Sequence, residues 1–309
     1  MSTLNLPERI ILLDGGMGRE LRFRGIDILD TIWAANALLV APDVVRQIHT
    51  DFITAGADII TTNTYGIVRS ALARENLEDR FVELNLFACE LAQQARNDSG
   101  RSVLIAGSLP PLKGSYRPDL VGELDEILPL YVEQAELLAP YVDLLLCETM
   151  SSAKEAAAAA RAACHTGKPV WVAWTLHEDR SGRLRSGETI ATAVATLEGL
   201  PVSGYLANCC APESVTRAMP QLTKTGIAYA GGYANTFRPV PVDWKLDGNK
   251  KTDGSLDLRD DLGPENYARH ALDWLKAGAA VVGGCCGTGP AHIQQLRKLI
   301  DEWQNSSKG

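Results

Sequence analysis

Two pairs of adjacent cysteines carry the side chains in this chain that are best suited to hold a metal ion. Cys285 and Cys286 stand between glycines directly after an apolar run, and Cys209 and Cys210 follow another such run. Adjacent side chains on a regular strand point to opposite faces, so both sulfurs of a pair reach one ion only if the strand ends and the backbone turns. Glycines within 283–287 permit that turn, because glycine enters backbone regions that a Cβ atom forbids. Three of the four sulfurs would form a thiolate zinc site with one open position, the arrangement of a catalytic zinc.

The cysteines admit two other interpretations. All four could be buried core residues, or they could form a disulfide or a closed structural metal site. The chain has seven cysteines, an odd number with four of them in doublets, which is unlike the disulfide framework of a small secreted protein. Zinc is the metal that suits three thiolates, since it is borderline-soft, has no redox chemistry and accepts tetrahedral sulfur coordination.

Two carboxyl side chains also stand where apolar runs end. Glu148 follows the run 143–147, where a buried carboxylate without a partner would be costly, so the pattern favours a ligand or a cationic partner. Asp14 precedes two glycines, where it either binds a ligand or caps the short helical segment that follows. Both carboxyl groups are therefore candidates for binding a positively charged group.

The remainder of the chain predicts a scaffold that brings strand ends together. Eight short apolar runs rich in Val, Ile and Leu alternate with helix-like segments. Continuous apolarity suits parallel strands that are covered on both faces, with helices as the crossovers. The pattern predicts the α/β class and one (β/α)8 TIM barrel domain over residues 1–309, with active-site groups at the carboxyl ends of the strands. A doubly wound open sheet is the alternative, because the element pattern does not establish closure.

Both sets of elements can be bounded from the sequence. The predicted strands are 9–14, 58–64, 103–108, 142–148, 170–176, 204–209, 227–232 and 279–284. The predicted helices are 42–55, 69–97, 120–139, 152–165, 188–197, 211–225, 264–277 and 290–304. The segment 236–263 is polar and rich in Pro, Gly and Asp, and it is predicted as a long rim loop. Such a loop would close the site, meet another subunit or be an inert insertion.

Composition limits the partners of the chain. Its 309 residues are 46% hydrophobic and 22% charged, which is ordinary for a globular protein. Its net charge of −8, from 38 acidic and 30 basic residues without a dense Lys/Arg cluster, argues against nucleic acid. No apolar run approaches the ~20 residues that span a bilayer, and no signal core follows the N-terminus. We therefore expect no membrane partner and a cytoplasmic location, while an oligomer stays open.

Five motifs in order resemble the homocysteine S-methyltransferase family over nearly the whole chain. They are Asp-Gly-Gly-Met-Gly at 14–18 with Glu-Leu at 20–21, Thr-Thr-Asn-Thr-Tyr at 61–65, Glu-Thr at 148–149, Asn-Cys at 208–209 and Gly-Gly-Cys-Cys-Gly-Thr at 283–288. The resemblance implies a zinc-bearing barrel that methylates the thiol of homocysteine to give methionine. It also implies that Cys209, Cys285 and Cys286 are the zinc ligands. Strand alternation likewise sends Cys210 toward the helices if Cys209 points into the barrel mouth.

The resemblance also implies how the acceptor is held. Glu148, Asp14 and the backbone of Gly15 and Gly16 would bind the amino-acid end of homocysteine, whose ammonium needs an anionic partner. Further candidates for substrate contacts stand at predicted strand ends: Thr62, Asn63, Asn208, Tyr233 and Asn235. The first two could equally bond to loop backbone, and an asparagine beside a ligand would orient the cysteine or the substrate.

The methyl donor is constrained by its charge. A donor for direct transfer would be a cation, such as a sulfonium or a quaternary ammonium, and aromatic faces stabilise cations. Trp33 and Tyr65 are the candidates, and the segment of Trp33 matches the family's donor-side tryptophan. Betaine-using members typically carry a tyrosine directly after the glutamate, where this chain has Thr149. The resemblance therefore favours S-methylmethionine or a related sulfonium.

Two alternative functions use the same cysteines. Within enzymes, a betaine-type or a cobalamin-linked transfer is the alternative, and the latter would need a separate corrinoid partner. Outside enzymes, a non-catalytic protein could buffer zinc or sense redox state through its thiolates. The second alternative gives no role to Asp14 and Glu148 at the barrel mouth.

Overall fold

The structure is a computed structural model that describes residues 10–29, 31–240 and 257–306, and this part of the chain contains eight parallel strands. They are β1 (Ile11–Leu12), β2 (Ile59–Thr61), β3 (Leu104–Leu109), β4 (Leu144–Met150), β5 (Val170–Trp174), β6 (Val202–Asn208), β7 (Tyr229–Ala234) and β8 (Val281–Gly284). Each strand coincides with one of the eight apolar runs, with ends that differ by a few residues.

The eight strands close into a barrel. Their hydrogen-bonded order is β1-β8-β7-β6-β5-β4-β3-β2, and Leu13 pairs with Ile59 in a parallel bridge across the remaining seam. At that seam Asp58 N–H donates to Leu12 O at 2.8 Å, and Asp14 N–H donates to Ile59 O at 3.1 Å. The predicted (β/α)8 barrel is therefore confirmed, and the open sheet is wrong.

Strand side chains alternate between two apolar layers. On β4, Leu144 and Leu146 join the cluster inside the barrel, while Leu145 between them joins the layer beneath the helices. The interior is filled by large side chains, among them Trp171 from β5 and Leu206 from β6. Because apolar residues face both layers, the strands read as continuous apolar runs, and the polar residues that follow them surround the barrel mouth.

The helices lie outside the barrel. They are α1 (Met17–Phe23), α2 (Asn36–Val40), α3 (Pro42–Ala55), α4 (Arg69–Ala73), α5 (Phe81–Ser99), α6 (Leu124–Leu138), α7 (Ala153–His165), α8 (Ile190–Ala195), α9 (Pro212–Thr223), α10 (Pro264–Lys276) and α11 (Pro290–Ser306). Helix α3 has the predicted bounds, with proline in its first turn and Gly56 at φ 112° as its left-handed end. None of the described helices is long and apolar enough to cross a membrane.

The predicted helix 69–97 is wrong as a single element. Asn76 adopts φ 55°, in the left-handed region, and a 3₁₀ turn at 78–80 separates α4 from α5. Helix α1 is the short helical segment expected after Asp14, whereas α2 has only five residues, too few for a periodic apolar pattern to predict it.

Only the two ends of the predicted rim loop are described. Residues 241–256 lie outside the described ranges, so the predicted lid or subunit contact of segment 236–263 stays untested there. The flanking ends run antiparallel, because Phe237 pairs with Leu258 and Arg238 N–H donates to Asp257 O at 2.8 Å. Both ends are thereby joined next to the carboxyl end of β7.

Candidate metal centre and substrate cavity

Three cysteine sulfurs meet at the mouth of the barrel. The Sγ atoms of Cys209, Cys285 and Cys286 all lie within 4.8 Å of one another, and those of Cys209 and Cys286 are 3.9 Å apart. Cys209 is buried, and the other two are half-buried. All three line one cavity at the carboxyl ends of the strands. This donor set could hold a metal ion, because three thiolates at this spacing can converge on one soft or borderline cation.

The end of β6 directs Cys209 and Cys210 to opposite sides. Cys209 adopts φ 48°, a left-handed conformation just past the last strand residue, and its N–H donates to Tyr233 O at 3.2 Å. Cys210 is fully buried in the layer beneath the helices, as strand alternation predicts, and burial raises the pKa of its thiol. Only the first cysteine of this pair reaches the cavity.

The other two sulfurs sit in a turn after β8. Cys285 N–H donates to Ala234 O at 2.9 Å, and Thr288 Oγ1 donates to Cys285 O at 2.7 Å. Gly287 closes the turn at φ 85°, which glycine adopts without strain. Gly16 lies so close that a Cβ atom on it would stand 2.6 Å from Cys285 O. Gly287 therefore permits the conformation of the Cys285–Cys286 turn, and Gly16 permits the loop after β1 to pack closely against it.

The three sulfurs perturb one another's pKa. The pKa of Cys209 lies well below its ordinary value because its sulfur is hydrogen-bonded with those of Cys285 and Cys286. The same hydrogen bonds hold the pKa of Cys285 and Cys286 above the ordinary value. A metal ion bound by these three sulfurs would displace protons from the cluster, because cysteine binds metals as the thiolate.

Two buried carboxyl groups face the same cavity. Glu148 Oε1 accepts from Ser108 Oγ at 2.5 Å and Oε2 accepts from Tyr233 O–H at 3.1 Å. Asp14 Oδ2 accepts from Thr61 N–H at 2.7 Å, and Oδ1 accepts from Thr61 Oγ1 at 3.1 Å. Burial raises the pKa of Glu148 to about 7 and that of Asp14 to about 8.

The alternative role of Asp14 as a helix cap is wrong. Helix α1 has Gly16 as its N-cap and no side-chain cap hydrogen bond, because the Asp14 carboxylate is directed to β2 instead. Within the described ranges, neither Asp14 nor Glu148 forms an ion pair. Each thus remains able to accept a cationic group of a ligand.

The comparisons with known proteins agree with this site. The family model described as homocysteine S-methyltransferase matches residues 11–300. The chain belongs to the homocysteine S-methyltransferase family. The homocysteine S-methyltransferase of Escherichia coli (strain K12) is 31% identical over 308 residues, covering 93% of this chain and 94% of that protein. This family member therefore transfers a methyl group to the thiol of homocysteine.

Solved structures extend the comparison to three dimensions. The metallated form of the homocysteine methyltransferase MmuM from Escherichia coli has a TM-score of 0.78 and 29% identity, covering 94% of this chain and 96% of that one. A type I 3-dehydroquinate dehydratase from Clostridium difficile has a TM-score of 0.51 at 11% identity, covering 98% of this chain and 96% of that one, and shares the fold alone. The likeness to the metallated relative thus extends over 94% of this methyltransferase.

Most of the predicted site residues of this methyltransferase line the cavity. They are Asp14, Gly15, Gly16, Trp33, Thr62, Asn63, Tyr65, Glu148, Cys209, Tyr233, Cys285 and Cys286. Asn208 and Asn235 do not line it. Asn208 Oδ1 accepts from Thr149 N–H at 2.9 Å, and Asn235 Oδ1 accepts from Phe237 N–H at 3.2 Å. These two amides hold the loops behind Glu148 and β7 rather than face a ligand.

The polar residues after β2 are bonded within the protein. Thr62 Oγ1 accepts from Ser108 N–H at 3.1 Å, and Asn63 Nδ2 donates to Ala34 O at 3.0 Å. Of the two possibilities weighed for this pair, the structure therefore supports the structural hydrogen bonds, although both residues border the cavity. Tyr65 and the half-buried Trp33 supply aromatic surface on that side.

Several cavity residues escape the sequence pattern. They are Arg19, Arg22, Tyr116 and Phe237. The Arg19 guanidinium lies 5.6 Å from the centre of the Phe237 ring. Tyr116 is buried in the loop after β3, with its hydroxyl 2.8 Å from Cys209 O and 3.0 Å from Cys209 Sγ. That loop is irregular, so only the rule that βα loops form the barrel mouth could have drawn attention to it.

Proposed function

We propose that this enzyme binds zinc through Cys209, Cys285 and Cys286 and methylates homocysteine directly from a sulfonium donor. The carrying observation is the convergence of the three sulfurs within 4.8 Å at one end of a cavity that also contains two buried carboxyl groups. The thiolate set fits zinc, which favours tetrahedral sulfur coordination and leaves a fourth position for a substrate sulfur. When bound, zinc would deprotonate a coordinated thiol that is mostly protonated in water at neutral pH.

The amino-acid end of homocysteine would lie between Asp14 and Glu148. Its ammonium supplies the positive charge that these carboxyl groups lack in the described part of the protein, and binding it would restore their ionised state. The Gly15 backbone lies beside them, while Gly16 N–H is already bonded to Thr288 O at 2.9 Å. Catalysis by Asp14 and Glu148 is then orientation of the nucleophilic sulfur rather than proton transfer to the methyl group.

The donor would approach from the aromatic side of the cavity. Trp33, Tyr65 and Tyr233 border the cavity, and aromatic faces stabilise a sulfonium cation. In the transfer, the thiolate sulfur forms the new S–CH3 bond as the donor's C–S bond breaks in line with it. The electron pair of that bond leaves with a neutral sulfide. Thr149 in place of a tyrosine after Glu148 favours S-methylmethionine or a related sulfonium over betaine.

The boundaries of the enzyme are part of the proposal. We propose that residues 1–309 form one barrel domain and that 236–263 is a rim loop beside the cavity. The antiparallel pairing of the loop's two ends supports this placement. A cobalamin-linked transfer would require a corrinoid partner, and a zinc-buffering protein would have no need for paired buried carboxyl groups in the cavity.

A donor panel tests the function. Purified protein with measured zinc content is incubated with homocysteine and, in separate reactions, S-methylmethionine, betaine and methylcobalamin, and methionine is quantified. We expect methionine with S-methylmethionine and little with the other donors. Zinc removal by a chelator should abolish the activity, and zinc readdition should restore it. Zinc-loaded protein that makes no methionine from any donor would refute the enzyme proposal and leave the zinc-buffering alternative.

A further inference from the structure

Tyr116 contacts a cysteine of the metal centre with its hydroxyl group. The Tyr116 oxygen lies 2.8 Å from Cys209 O and 3.0 Å from Cys209 Sγ. Its side chain is buried, and its backbone adopts φ 60°. One hydroxyl proton faces two acceptors on the same residue, and a thiolate would compete strongly for it because hydrogen bonds to charged groups are the stronger ones.

A second hydroxyl lowers the free-energy cost of turning the Tyr116 hydroxyl from the Cys209 carbonyl oxygen toward the Cys209 sulfur. Thr175 Oγ1 donates to the same Cys209 carbonyl oxygen at 3.1 Å, and Thr175 is fully buried. The carbonyl therefore keeps a donor when the Tyr116 hydroxyl turns toward Sγ. A buried acceptor left without any donor would otherwise oppose the turn.

The ring of Tyr116 is held in place from behind. The Arg185 guanidinium lies 4.3 Å from the centre of the Tyr116 ring. Arg185 Nη2 is 3.0 Å from Glu178 Oε1, and both side chains are almost fully buried. Glu178 Oε2 in turn accepts from Ala211 N–H at 2.8 Å, two residues after Cys209. This network ties the tyrosine to the same segment that carries the cysteine.

We propose that Tyr116 is a positioning residue that hydrogen-bonds the Cys209 thiolate and so directs methyl transfer to the substrate thiol rather than to Cys209. This inference rests on the proposed metal centre. Among the described residues, Cys209 is the one of the three cysteines whose sulfur lies within hydrogen-bond distance of a tyrosine hydroxyl. A hydrogen bond to its sulfur withdraws charge from the lone pair, which lowers nucleophilicity while leaving the sulfur able to act as a ligand.

The side reaction to be suppressed is defined by the chemistry. If the Cys209 thiolate attacked the sulfonium donor, a Cys209 S–CH3 bond would form as the donor's C–S bond broke. The electron pair would leave with the neutral sulfide, and Cys209 would become a thioether, a poorer ligand. The substrate sulfur would then meet a metal site in which one of the three cysteine ligands is methylated.

Tyr116→Phe tests the proposal, because it removes the hydroxyl and keeps the ring against Arg185. Zinc-loaded protein is treated with iodoacetamide and, separately, with S-methylmethionine without homocysteine, and modification of each cysteine is followed by peptide mass spectrometry. We expect faster modification at Cys209 but not at Cys285 or Cys286. We also expect zinc affinity, measured by chelator competition, to fall about 10-fold, because the hydroxyl would no longer hold the Cys209 sulfur in its orientation toward the metal.

Tyr131→Phe is the matched control. Tyr131 is buried with its hydroxyl 3.9 Å from Met150 Sδ, away from the metal cysteines. It should leave zinc affinity and cysteine modification unchanged. Unchanged zinc affinity and Cys209 modification in a folded Tyr116→Phe protein would overturn the proposal.

Thr175→Val supplies a second, independent test. Without the threonine hydroxyl, the Tyr116 hydroxyl should keep its hydrogen bond to the Cys209 carbonyl oxygen. Thr175→Val should therefore also lower zinc affinity and speed the modification of Cys209. In a Tyr116→Phe background the same change should add little to either effect, which a double-mutant cycle measures. Fully additive effects would overturn the proposal even if one variant folds poorly. Because iodoacetamide and chelators require no methyl transfer, failure of the proposed function would be recognised separately, by absent methionine.

Discussion

Burial governs the chemistry of the two carboxyl groups in the cavity. Glu148 and Asp14 accept hydrogen bonds from hydroxyl and amide donors, but burial raises the pKa of Glu148 to about 7 and that of Asp14 to about 8. A cationic ligand would lower both pKa values. If the ammonium of homocysteine binds there, as proposed, it would offset the cost of ionising these buried carboxyl groups.

Asp14→Asn should stabilise the ligand-free protein at alkaline pH. The pKa of Asp14 is raised from 3.8 to about 8 on folding, so the folded state binds more protons between these values and loses stability as the pH rises through about 8. Asparagine has no charge to desolvate. Thermal unfolding should show a higher Tm for Asp14→Asn than for wild type at pH values above about 8, with the difference shrinking as the pH falls.

The same substitution should weaken homocysteine binding. In the wild type, the KM for homocysteine should rise as the pH falls through about 8 and about 7, because Asp14 and Glu148 become protonated. Asp14→Asn should raise the KM at high pH and flatten this profile. A Tm gain with an unchanged KM would show that Asp14 does not contact the substrate.

Cys209→Ala and Cys210→Ala should differ in metal binding. Cys209 faces the other two sulfurs, whereas Cys210 is packed beneath the helices. Zinc content measured by atomic emission should fall from about one ion per chain to near zero in Cys209→Ala and stay near one in Cys210→Ala. Cys210→Ala therefore controls for loss of a buried sulfur. The reverse pattern would exchange the roles of the two cysteines.

At the scale of elements, the loop after β1 is fitted to the turn after β8. A Cβ atom on Gly16 would stand 2.6 Å from Cys285 O and 2.9 Å from Cys286 Cα, which are backbone atoms that cannot swing aside. Gly16 thus has a packing role that its sequence context does not reveal. This contact fits the loop that carries Asp14 against the turn that carries Cys285 and Cys286.

Gly16→Ala should disturb the metal centre through that contact. Its methyl group would push the Cys285–Cys286 turn away from Cys209, so we expect weaker zinc binding and a loss of stability of about 2 kcal/mol, typical of overpacking. Gly18→Ala is the matched control, since its nearest neighbour atom would be 3.5 Å away on Ile28. Chelator competition and urea unfolding measure the two effects. Equal zinc affinity in both variants would contradict this account.

At the scale of the whole molecule, Asp58 connects the seam between β1 and β2 to helix α11 through polar contacts with Leu12 and Arg297, a set of contacts called here the Asp58 clasp. Asp58 Oδ2 accepts from Leu12 N–H at 3.0 Å and is 3.1 Å from Arg297 Nη1 of helix α11. Asp58 also donates its N–H to Leu12 O. One buried aspartate at the start of β2 thus joins both sides of the seam and the C-terminal helix.

Asp58→Ala should therefore destabilise the protein by about 3 kcal/mol, because it leaves a largely buried arginine without its buried partner. Urea unfolding measures this loss. Asp301→Ala is the control, since Asp301 also pairs with Arg297 but is 60% exposed, and its removal should cost less than about 1 kcal/mol. Comparable losses of unfolding free energy in the two variants would show that the Asp58 clasp does not stabilise the closed barrel.

The sequence by itself determined the eight strands, most of the helices and the cysteine doublets that contain the three candidate metal ligands. Apolar runs and glycine-flanked cysteines are local signals, and the family motifs fix which strand ends carry them. The division of segment 69–97 at Asn76 was beyond these signals, because a left-handed residue inside an amphipathic pattern leaves no periodic trace.

Only the tertiary structure decided closure, the roles of Asn208 and Asn235, and the presence of Tyr116 beside Cys209. Each depends on contacts between residues far apart in the chain: Leu13 with Ile59, and Tyr116 with Cys209 at a separation of 93 residues. Side-chain direction past a strand end is set by the local backbone and by whatever packs against it, and neither is written in the spacing of residues. The cysteines in the sequence indicate thiolate metal binding, and the closed barrel brings their sulfurs together at its mouth.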